Sequence, residues 1–457
     1  MVQNVLAQNF DGAGKASTSP RIVNFTQLAA SEASNTQKLQ APKIPNDYGQ
    51  KKIKGALPLN LPLPANAQVI RDQFGPIETP NAPPPFDSLK SNAPGPVSSF
   101  AALEDNDTAI PPDTHGAAGP NHLIVPLNSQ VRIQTRAGAT LSTVSLDGFF
   151  GTNAFDPRIH YDPYNGRWIF VVTTNARLAS SGWAIAVSQN SNPTGSWSIY
   201  EVDFDASNVE WADYPTVGFN KKWITIQINR FRVSDDAFMG TRIYALTKSE
   251  FYAGGFATWR FWTRNDIGGT QAPAITYNNA IEQQYLLQTW NGNPEGSGFL
   301  RLYTIAGAIG SETLTNGPFI STPNPWAGSG PNAPQLGTTN RISTNDNRMQ
   351  NVVYRNGSRW AAHTAFLAAA SPNRASVQWW QVSTAGGILQ RGRIDDGTAA
   401  NFYAFPSIAV NNANNVLIGY SRFAGNSYAS ANYSFQLGSD AANTMQADYT
   451  FKFGEDT

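Results

Sequence analysis

The sequence has no cysteine and few charged residues. Among its 457 residues only 14% are Asp, Glu, Lys or Arg, and 32 basic side chains balance 32 acidic ones. The absence of cysteine excludes disulfides, thiol catalysis and metal sites with cysteine ligands. Because the charges balance, no global field attracts nucleic acid or an anionic membrane, and we expect neither as a partner.

Long hydrophobic runs are also missing. No stretch approaches the roughly 20 apolar residues that span a bilayer, so we expect no membrane span. The beginning, MVQNVLAQNF, lacks the basic and apolar regions of a signal peptide. The low charge and the polar, aromatic composition favour a secreted or cell-surface bacterial protein, with the signal peptide absent from this chain.

Turn-forming and aromatic residues are abundant instead. The chain has 38 Gly, 30 Pro, 12 Trp, 16 Tyr and 25 Phe, a composition typical of strands and turns. Residues 1–110 contain PKIP, LPLNLPLP and TPNAPPPF without sustained alternation, which predicts an extended proline-rich N-terminal arm. From residue 111 onward short alternating segments predict a β domain over 111–457.

An internal repeat organises the second part of the chain. In each copy Pro is followed by apolar residues two and four positions later, then by a turn residue and a second strand such as GRWIFVVTT. The four clear copies are DPRIHYD (156–162), YPTVGFN (214–220), APAITYN (272–278) and FPSIAVN (405–411). Two weaker copies, at 115–119 and 350–354, bring the starts to six.

This repeat predicts an all-β fold, a β-propeller of six to seven four-stranded blades preceded by the extended arm. A β-sandwich and a β-solenoid are the alternatives. The sixth blade ends near the last residue, so a seventh would come from the arm, from further C-terminal sequence or from another chain.

Several runs carry a resemblance to known proteins. PPDTHGAAGPNHLIVPLNSQVRI (111–133), FDPRIHYDPYNGRWIFVV (155–172) and ADYPTVGFNKKWITIQIN (212–229) resemble a set of mostly uncharacterised exported bacterial β-propeller surface proteins. The segment SNPTGSW (191–197) is loosely similar to a turn in sialidase and furanosidase propellers. The resemblance implies architecture and location, with Trp197 packed between blades, and implies no chemistry.

The residues around the repeat prolines are the first candidates for a ligand site, because first strands line the central channel of a propeller. Converging carboxylates there would act as general acid, base or charge stabiliser on a glycan, with His160 as a further catalytic candidate. Alternatively, each Asp accepts N–H groups of its own turn. The candidate ligand-binding residues are Asp113, His115, Asp156, Arg158, His160 and Asp213.

The same region offers histidines at comparable repeat positions. We expect His115 and His160 to approach each other, where they would bind a metal or serve as the base of a lyase-like site with Tyr161 and Arg158. No metal-binding motif supports this interpretation. A structural, hydrogen-bonded role for each histidine is the alternative.

An acidic loop follows the fourth strand of the second predicted blade. Asp203, Asp205 and Glu210 supply hard oxygen ligands, which predicts a structural Ca²⁺ site; a solvated acidic loop is the alternative. We expect no other cofactor. Four tryptophans beside Asn- and Gly-rich loops are candidates for stacking on sugar rings, with core packing as the alternative. These are Trp290, Trp326, Trp379 and Trp380.

The leading functional hypothesis is a non-catalytic exported propeller for adhesion or extracellular assembly. It binds glycan or protein and polymerises when its arm adds a strand to a neighbouring copy. The alternative is a glycoside hydrolase or polysaccharide lyase, which requires two carboxyl groups about 5–10 Å apart facing an open cleft. A purely structural surface-layer component is a third hypothesis.

Overall fold

The computed structural model describes residues 9–16, 19–34, 57–77, 93–104, 106 and 108–455. Of the described residues 50% lie in strands and 6% in helices, so the predicted all-β class is confirmed. No helix in these ranges is long and apolar enough to cross a membrane. The chain divides into two compact units, the first of residues 1–57, 98–269 and 309–311, the second of 58–97, 270–308 and 312–457.

Regular elements already occur in the N-terminal region. The structure places there β1 (Phe10–Lys15), β2 (Arg21–Asn24), α1 (Phe25–Ser34) and β3 (Val69–Arg71). The described part of the predicted extended arm thus contains three short strands and one helix. Residues 35–56 and 78–92, which hold several of its prolines, lie outside the described residues.

The described part of the first unit contains three meanders, each of four consecutive antiparallel strands, and we call each meander a sheet. Their strands are β4 (Ala117–Ala118), β5 (His122–Pro126), β6 (Gln130–Thr135) and β7 (Thr140–Ser145); β8 (Ala154–Asp162), β9 (Arg167–Thr174), β10 (Gly182–Ser188) and β11 (Ser196–Asp203); and β12 (Glu210–Phe219), β13 (Trp223–Arg232), β14 (Phe238–Thr247) and β15 (Thr258–Arg264). Two short helices, α2 (Leu146–Phe150) and α3 (Lys248–Ala253), lie in connections.

The described part of the second unit repeats this plan. Its strands are β16 (Ala272–Thr276), β17 (Gln284–Asn291), β18 (Gly298–Ala306) and β19 (Thr313–Thr322); β20 (Met349–Arg355), β21 (Ser358–Leu367), β22 (Arg374–Ser383) and β23 (Ile388–Ile394); and β24 (Asn401–Val410), β25 (Val416–Ala424), β26 (Ser427–Gln436) and β27 (Tyr449–Lys452). A 3-10 turn covers Pro294–Gly296. The six repeat starts found in the sequence coincide with the first strands of the six sheets.

Aromatic side chains fill the cores of both units. Trp197 is 1% exposed and donates its indole N–H to the Pro193 carbonyl at 2.8 Å, which confirms its predicted core position. The four tryptophans considered for sugar stacking are all at most 3% exposed, so the stacking hypothesis is wrong for them. The Asn and Gly residues next to these tryptophans in the sequence indicate nearby turns, and the indole rings themselves are buried.

Three first strands share an unusual bend at the repeat proline. The residue before Pro has a positive φ in each: 53° at Asp156, 50° at Tyr214 and 55° at Phe405. The strand pairing slips at the same place, between Phe155 and Arg158 and at the equivalent points of β12 and β24. A left-handed conformation before proline is sterically disfavoured, so outside contacts must hold it.

Those contacts come from the preceding sheet of the same unit. The backbone N–H of Asp156 donates to Asn128 Oδ1 at 2.8 Å, and that of Tyr214 donates to Asp156 Oδ2 at 2.9 Å. In the second unit the N–H of Phe405 donates to Thr364 Oγ1 at 3.2 Å. At the bend, the N–H of the residue before Pro therefore leaves the hydrogen-bond ladder of its own sheet and donates to a side chain of the preceding sheet.

The outer edges of the sheets in the first unit are covered by N-terminal segments. Strand β1 pairs antiparallel with β15, and β2 pairs antiparallel with β11. Helix α1 lies against β7, where the Glu32 carboxylate accepts the backbone N–H of Ser145 at 2.8 Å. The Ala101 carbonyl accepts from Gln134 of β6 at 3.1 Å. Unpaired edge groups are thereby satisfied within the chain.

The second unit uses its own N-terminal segment in the same way. Strand β3 pairs in parallel with β19, and the next residue, Asp72, forms a buried ion pair with Arg391 of β23. Further on, the Tyr433 hydroxyl donates to the Pro94 carbonyl beside β27. We call the described segments 9–16, 19–34, 57–77 and 93–104 the edge belt.

The close packing of β1 gives a test of the edge belt. A Cβ added at Gly14 would lie 2.3 Å from Nε1 of Trp259, a buried indole. We expect Gly14→Ala to lower the free energy of unfolding by about 1–3 kcal/mol, as overpacking does elsewhere. The control is Gly255→Ala, where no atom lies within 4 Å of the added Cβ. Equal urea unfolding curves for the two variants would show that the packing of β1 contributes nothing to the free energy of unfolding.

Candidate functional site

Five of the six candidate ligand-binding residues form one cluster in the first unit. Asp113 and His115 lie just before β4, and Asp156, Arg158 and His160 lie on β8. The His115 and His160 rings meet edge to face with centroids 5.2 Å apart, which confirms their predicted approach. Asp156 is 8% exposed and the others are half-buried.

The two carboxyl groups of the cluster lie close together. Asp113 lies within hydrogen-bonding reach of Asp156, and its Oδ2 also accepts from the Asn128 amide at 2.6 Å. Burial raises the pKa of Asp113 well above its ordinary 3.8, and the like charge of Asp156 raises it further.

Asp156 and Arg158 both reach the next repeat. Asp156 accepts the N–H of Tyr214, while Arg158 Nε donates to the Pro215 carbonyl at 2.9 Å. The guanidinium carbon of Arg158 lies 4.8 Å from the centroid of the Tyr214 ring, a cation–π contact. Asp156 thus does not accept from its own turn, as one interpretation predicted, but from the first strand of the following sheet.

His115 has a structural partner and a fixed tautomer. Its Nδ1 accepts the backbone N–H of Ile159, two residues after the repeat proline, at 3.3 Å. In the second unit Asn351 plays the same part: its Oδ1 accepts the N–H of Ile408, also two residues after a repeat proline, at 3.0 Å. Because Nδ1 accepts, the neutral His115 ring carries its proton on Nε2.

Both histidines of the cluster are neutral. Burial and, to a smaller extent, the charge of Arg158 together lower the pKa of His160 to about 3. Burial likewise lowers the pKa of His115 well below 6.5, and the neighbouring His160 and Arg158 contribute in the same direction. Neutral imidazoles serve as hydrogen-bond donors and acceptors here.

Asp213, the sixth candidate, lies in the bend of β12. It faces Asn229 across the β12–β13 ladder, its side chain is half-buried, and it directly precedes Tyr214. Its role in a site stays a prediction. Two residues that contact the cluster, Asn128 and Tyr214, were not predicted. Tyr214 occupies the repeat position of Asp156, so the repeat itself contained that signal, whereas Asn128 lies in a turn with no motif.

The calcium site stays a prediction, and two of its three carboxylates have partners within the chain. Among the residues that the structure describes, no group of three or more His, Cys, Asp or Glu side chains is placed to hold a metal ion. Asp205 accepts N–H groups of its own loop, Val209 and Glu210 included, each at 3.0 Å. Glu210 instead forms a buried ion pair with Arg230. The carboxylates of Asp205 and Glu210 are used internally, and Asp203 is exposed.

Asp205 acts as a cap for this loop. Burial raises its pKa, but the hydrogen bonds from Ser207 and from the backbone N–H groups of the loop outweigh burial, so the pKa is lowered overall. Hydrogen bonding within the turn thus explains the acidic residue without a metal.

Comparisons with known proteins give only distant likenesses. No family model matches the sequence, and no curated protein matches it. Among solved structures, a hypothetical selenium-binding protein from Sulfolobus tokodaii is 10% identical with a TM-score of 0.45, over 76% of this chain and 79% of that one. An endo-arabinase from Bacteroides thetaiotaomicron is 12% identical with a TM-score of 0.31, over 63% and 95%.

A third similar structure is an exo-beta-1,3-galactanase from Clostridium thermocellum, 10% identical with a TM-score of 0.33, over 73% of this chain and 77% of that one. Likenesses this weak do not indicate an activity for the chain.

The parallel between His115 and Asn351 gives a test of the structural role of His115. We expect His115→Ala to lower the free energy of unfolding by about 1–3 kcal/mol, because it leaves the buried N–H of Ile159 without an acceptor. His115→Asn supplies an amide oxygen, as in the second unit, and should retain most of the stability. Equal losses in the two variants, measured by chemical denaturation, would refute this role.

The carboxyl pair gives a prediction about pH. The folded-state pKa of Asp113 is raised, so its contribution is most favourable below pH 3.8 and is lost as the pH rises toward the folded value. Asp113→Asn avoids this cost and should raise the melting temperature at pH 8, by about 2–4 °C for each kcal/mol recovered. The gain should shrink toward pH 4.

Asp203→Asn, at an exposed position, is the matched control and should have no such effect. A destabilised Asp113→Asn variant at pH 8 would contradict the raised pKa of Asp113.

Proposed function

We propose that the chain is a non-catalytic β-propeller of the cell surface or extracellular space that binds glycan through the cluster around Asp156. In this proposal the six described sheets are blades, and the first strands carry the ligand site. Adhesion or assembly is the role that such a binding module would serve.

The repeated contacts between successive sheets support the propeller. Each sheet is a meander of four strands in chain order, and in three sheets the bent first strand donates an N–H to a side chain of the sheet before. Such contacts between consecutive sheets suit blades that follow one another around an axis.

One observation carries the non-catalytic interpretation: both carboxyl groups of the cluster accept hydrogen bonds from the fold. Asp113 Oδ2 accepts from the Asn128 amide, and Asp156 Oδ2 accepts the N–H of Tyr214. Asp113 also lies within hydrogen-bonding reach of Asp156, whereas glycosidases keep their two carboxyl groups about 5–5.5 Å or 6.5–9.5 Å apart, so that a sugar or a water fits between them. Loss of Asp156 would loosen the contact between two sheets, which suits a structural carboxylate.

The remaining polar groups of the cluster suit hydroxyl recognition. Arg158 and the two neutral histidines are half-buried and offer donors beside the Asp113 carboxyl. Sugar hydroxyls both donate and accept, so a fixed set of donors and acceptors on a rigid strand orients them. Assembly through an arm has weaker support, since β1, β2 and β3 already pair with strands of this chain.

A glycan-active enzyme is the second candidate, and the raised pKa of Asp113 favours it. A raised carboxyl pKa is a property of a general acid, and His160 would be the base in a lyase. The enzyme needs a second carboxylate or base at a distance from Asp113, and Asp213 is the residue to test.

The experiment combines binding and turnover on one glycan panel. We expect saturable binding by calorimetry with no release of reducing ends and no new unsaturated sugar ends. His160→Ala should weaken binding by about tenfold, the loss of roughly one good hydrogen bond to a charged or polar partner. His122→Ala, outside the cluster on β5, is the matched control.

Turnover that His160→Ala or Asp213→Asn abolishes would replace this proposal by the enzyme. Binding to none of the glycans, with the protein folded, would remove both.

A further inference from the structure

Arg158 has hydrogen-bonding capacity that the fold does not use. Its Nε is bound to the Pro215 carbonyl and its plane lies over Tyr214, so the guanidinium is held in place. Its two terminal nitrogens make no hydrogen bond to any described group, although the side chain is half-buried. A positioned guanidinium with both terminal nitrogens available matches the two oxygens of a carboxylate.

The neighbouring histidine adds a donor with a defined direction. Because His115 Nδ1 accepts from Ile159, its Nε2–H is a donor, and it makes no hydrogen bond within the described residues. His160, edge to face with His115, has no hydrogen-bond partner there either and adds one ring N–H. The unused capacity around Arg158 is therefore mostly that of donors.

The acceptors of the cluster are largely occupied. Asp113 Oδ2 accepts from Asn128, Asp156 Oδ2 accepts from Tyr214, and the two carboxyls lie close together. These oxygens are used within the fold, so an incoming ligand group meets mainly the donors of Arg158 and of the two histidines.

We propose that the ligand group bound at Arg158, His115 and His160 is a carboxylate, carried by a uronic-acid sugar of an acidic glycan. This inference rests on the proposed glycan-binding function and narrows its ligand class. The two terminal nitrogens of Arg158 donate to the two carboxylate oxygens. The imidazole N–H groups donate to the remaining lone pairs of these oxygens or to the adjacent sugar hydroxyl. An acidic peptide is the competing ligand that the experiment must separate.

The experiment compares each acidic oligosaccharide with its own carboxyl-reduced form. The probes are galacturonate, glucuronate and mannuronate oligomers, titrated by calorimetry into the full chain. For at least one pair we expect the acid to bind about tenfold more tightly than its reduced counterpart, as a charge-assisted contact requires. This arm uses the unaltered protein and does not depend on any variant folding.

Two matched variants locate the effect. Arg158→Gln should reduce the preference for the acid to within about threefold, less than the tenfold worth of one charge-assisted contact. Arg232→Gln, which removes a solvent-exposed guanidinium paired with Asp235, should preserve the preference. Melting curves of both variants show whether each is folded.

The outcomes separate the two proposals. Equal binding of acid and reduced forms overturns the carboxylate inference and leaves glycan binding intact. Binding of neither form overturns the glycan-binding function itself. An acidic peptide that binds through Arg158 while every uronate fails overturns the glycan assignment. Loss of the preference in Arg232→Gln as well overturns the role of Arg158.

Discussion

The free hydrogen-bonding groups at the outer edge of each sheet are the constraint on which this structure depends. Six four-stranded meanders present six last strands, and each would be a template for pairing with another molecule. The edge belt satisfies these edges within the chain, by strand pairing at β11, β15 and β19 and by side-chain or loop contacts elsewhere. The edge belt has an irregular sequence because successive short segments of it contact different sheets.

The inner edge of the sheets meets a different requirement. There the bend at the repeat proline withdraws one N–H from the ladder, and a side chain of the preceding sheet must accept it. For the N–H of Tyr214 the acceptor is the carboxylate of Asp156, which also lies beside Asp113. This structural contact therefore places a carboxylate at the candidate site. Stability and the proposed binding thus depend on the same residues. Arg158 is the residue whose hydrogen-bonding groups remain available.

Sequence reasoning recovered what is periodic and missed what is not. The repeat of Pro and alternating apolar residues located all six first strands, and the matched positions of His115 and His160 anticipated their contact. The N-terminal strands were not predicted. Strand β1, FDGAGK, has low strand propensity, and its glycine at position 14 is required by the close contact with Trp259. The calcium site stays a prediction, and the ion pair of Glu210 with Arg230, twenty residues away, is a contact that no local pattern reveals.

The position of β1 has a consequence for the order of folding. Phe10 pairs with Thr263, so more than half of the chain separates the two strands. Strand β1 leaves the ribosome long before its partner exists, and β2 waits in the same way for β11. Contacts this distant slow folding, and the earliest segments stay available to chaperones until the sheets behind them are complete. For an exported protein, such a delay would keep the chain open to translocation.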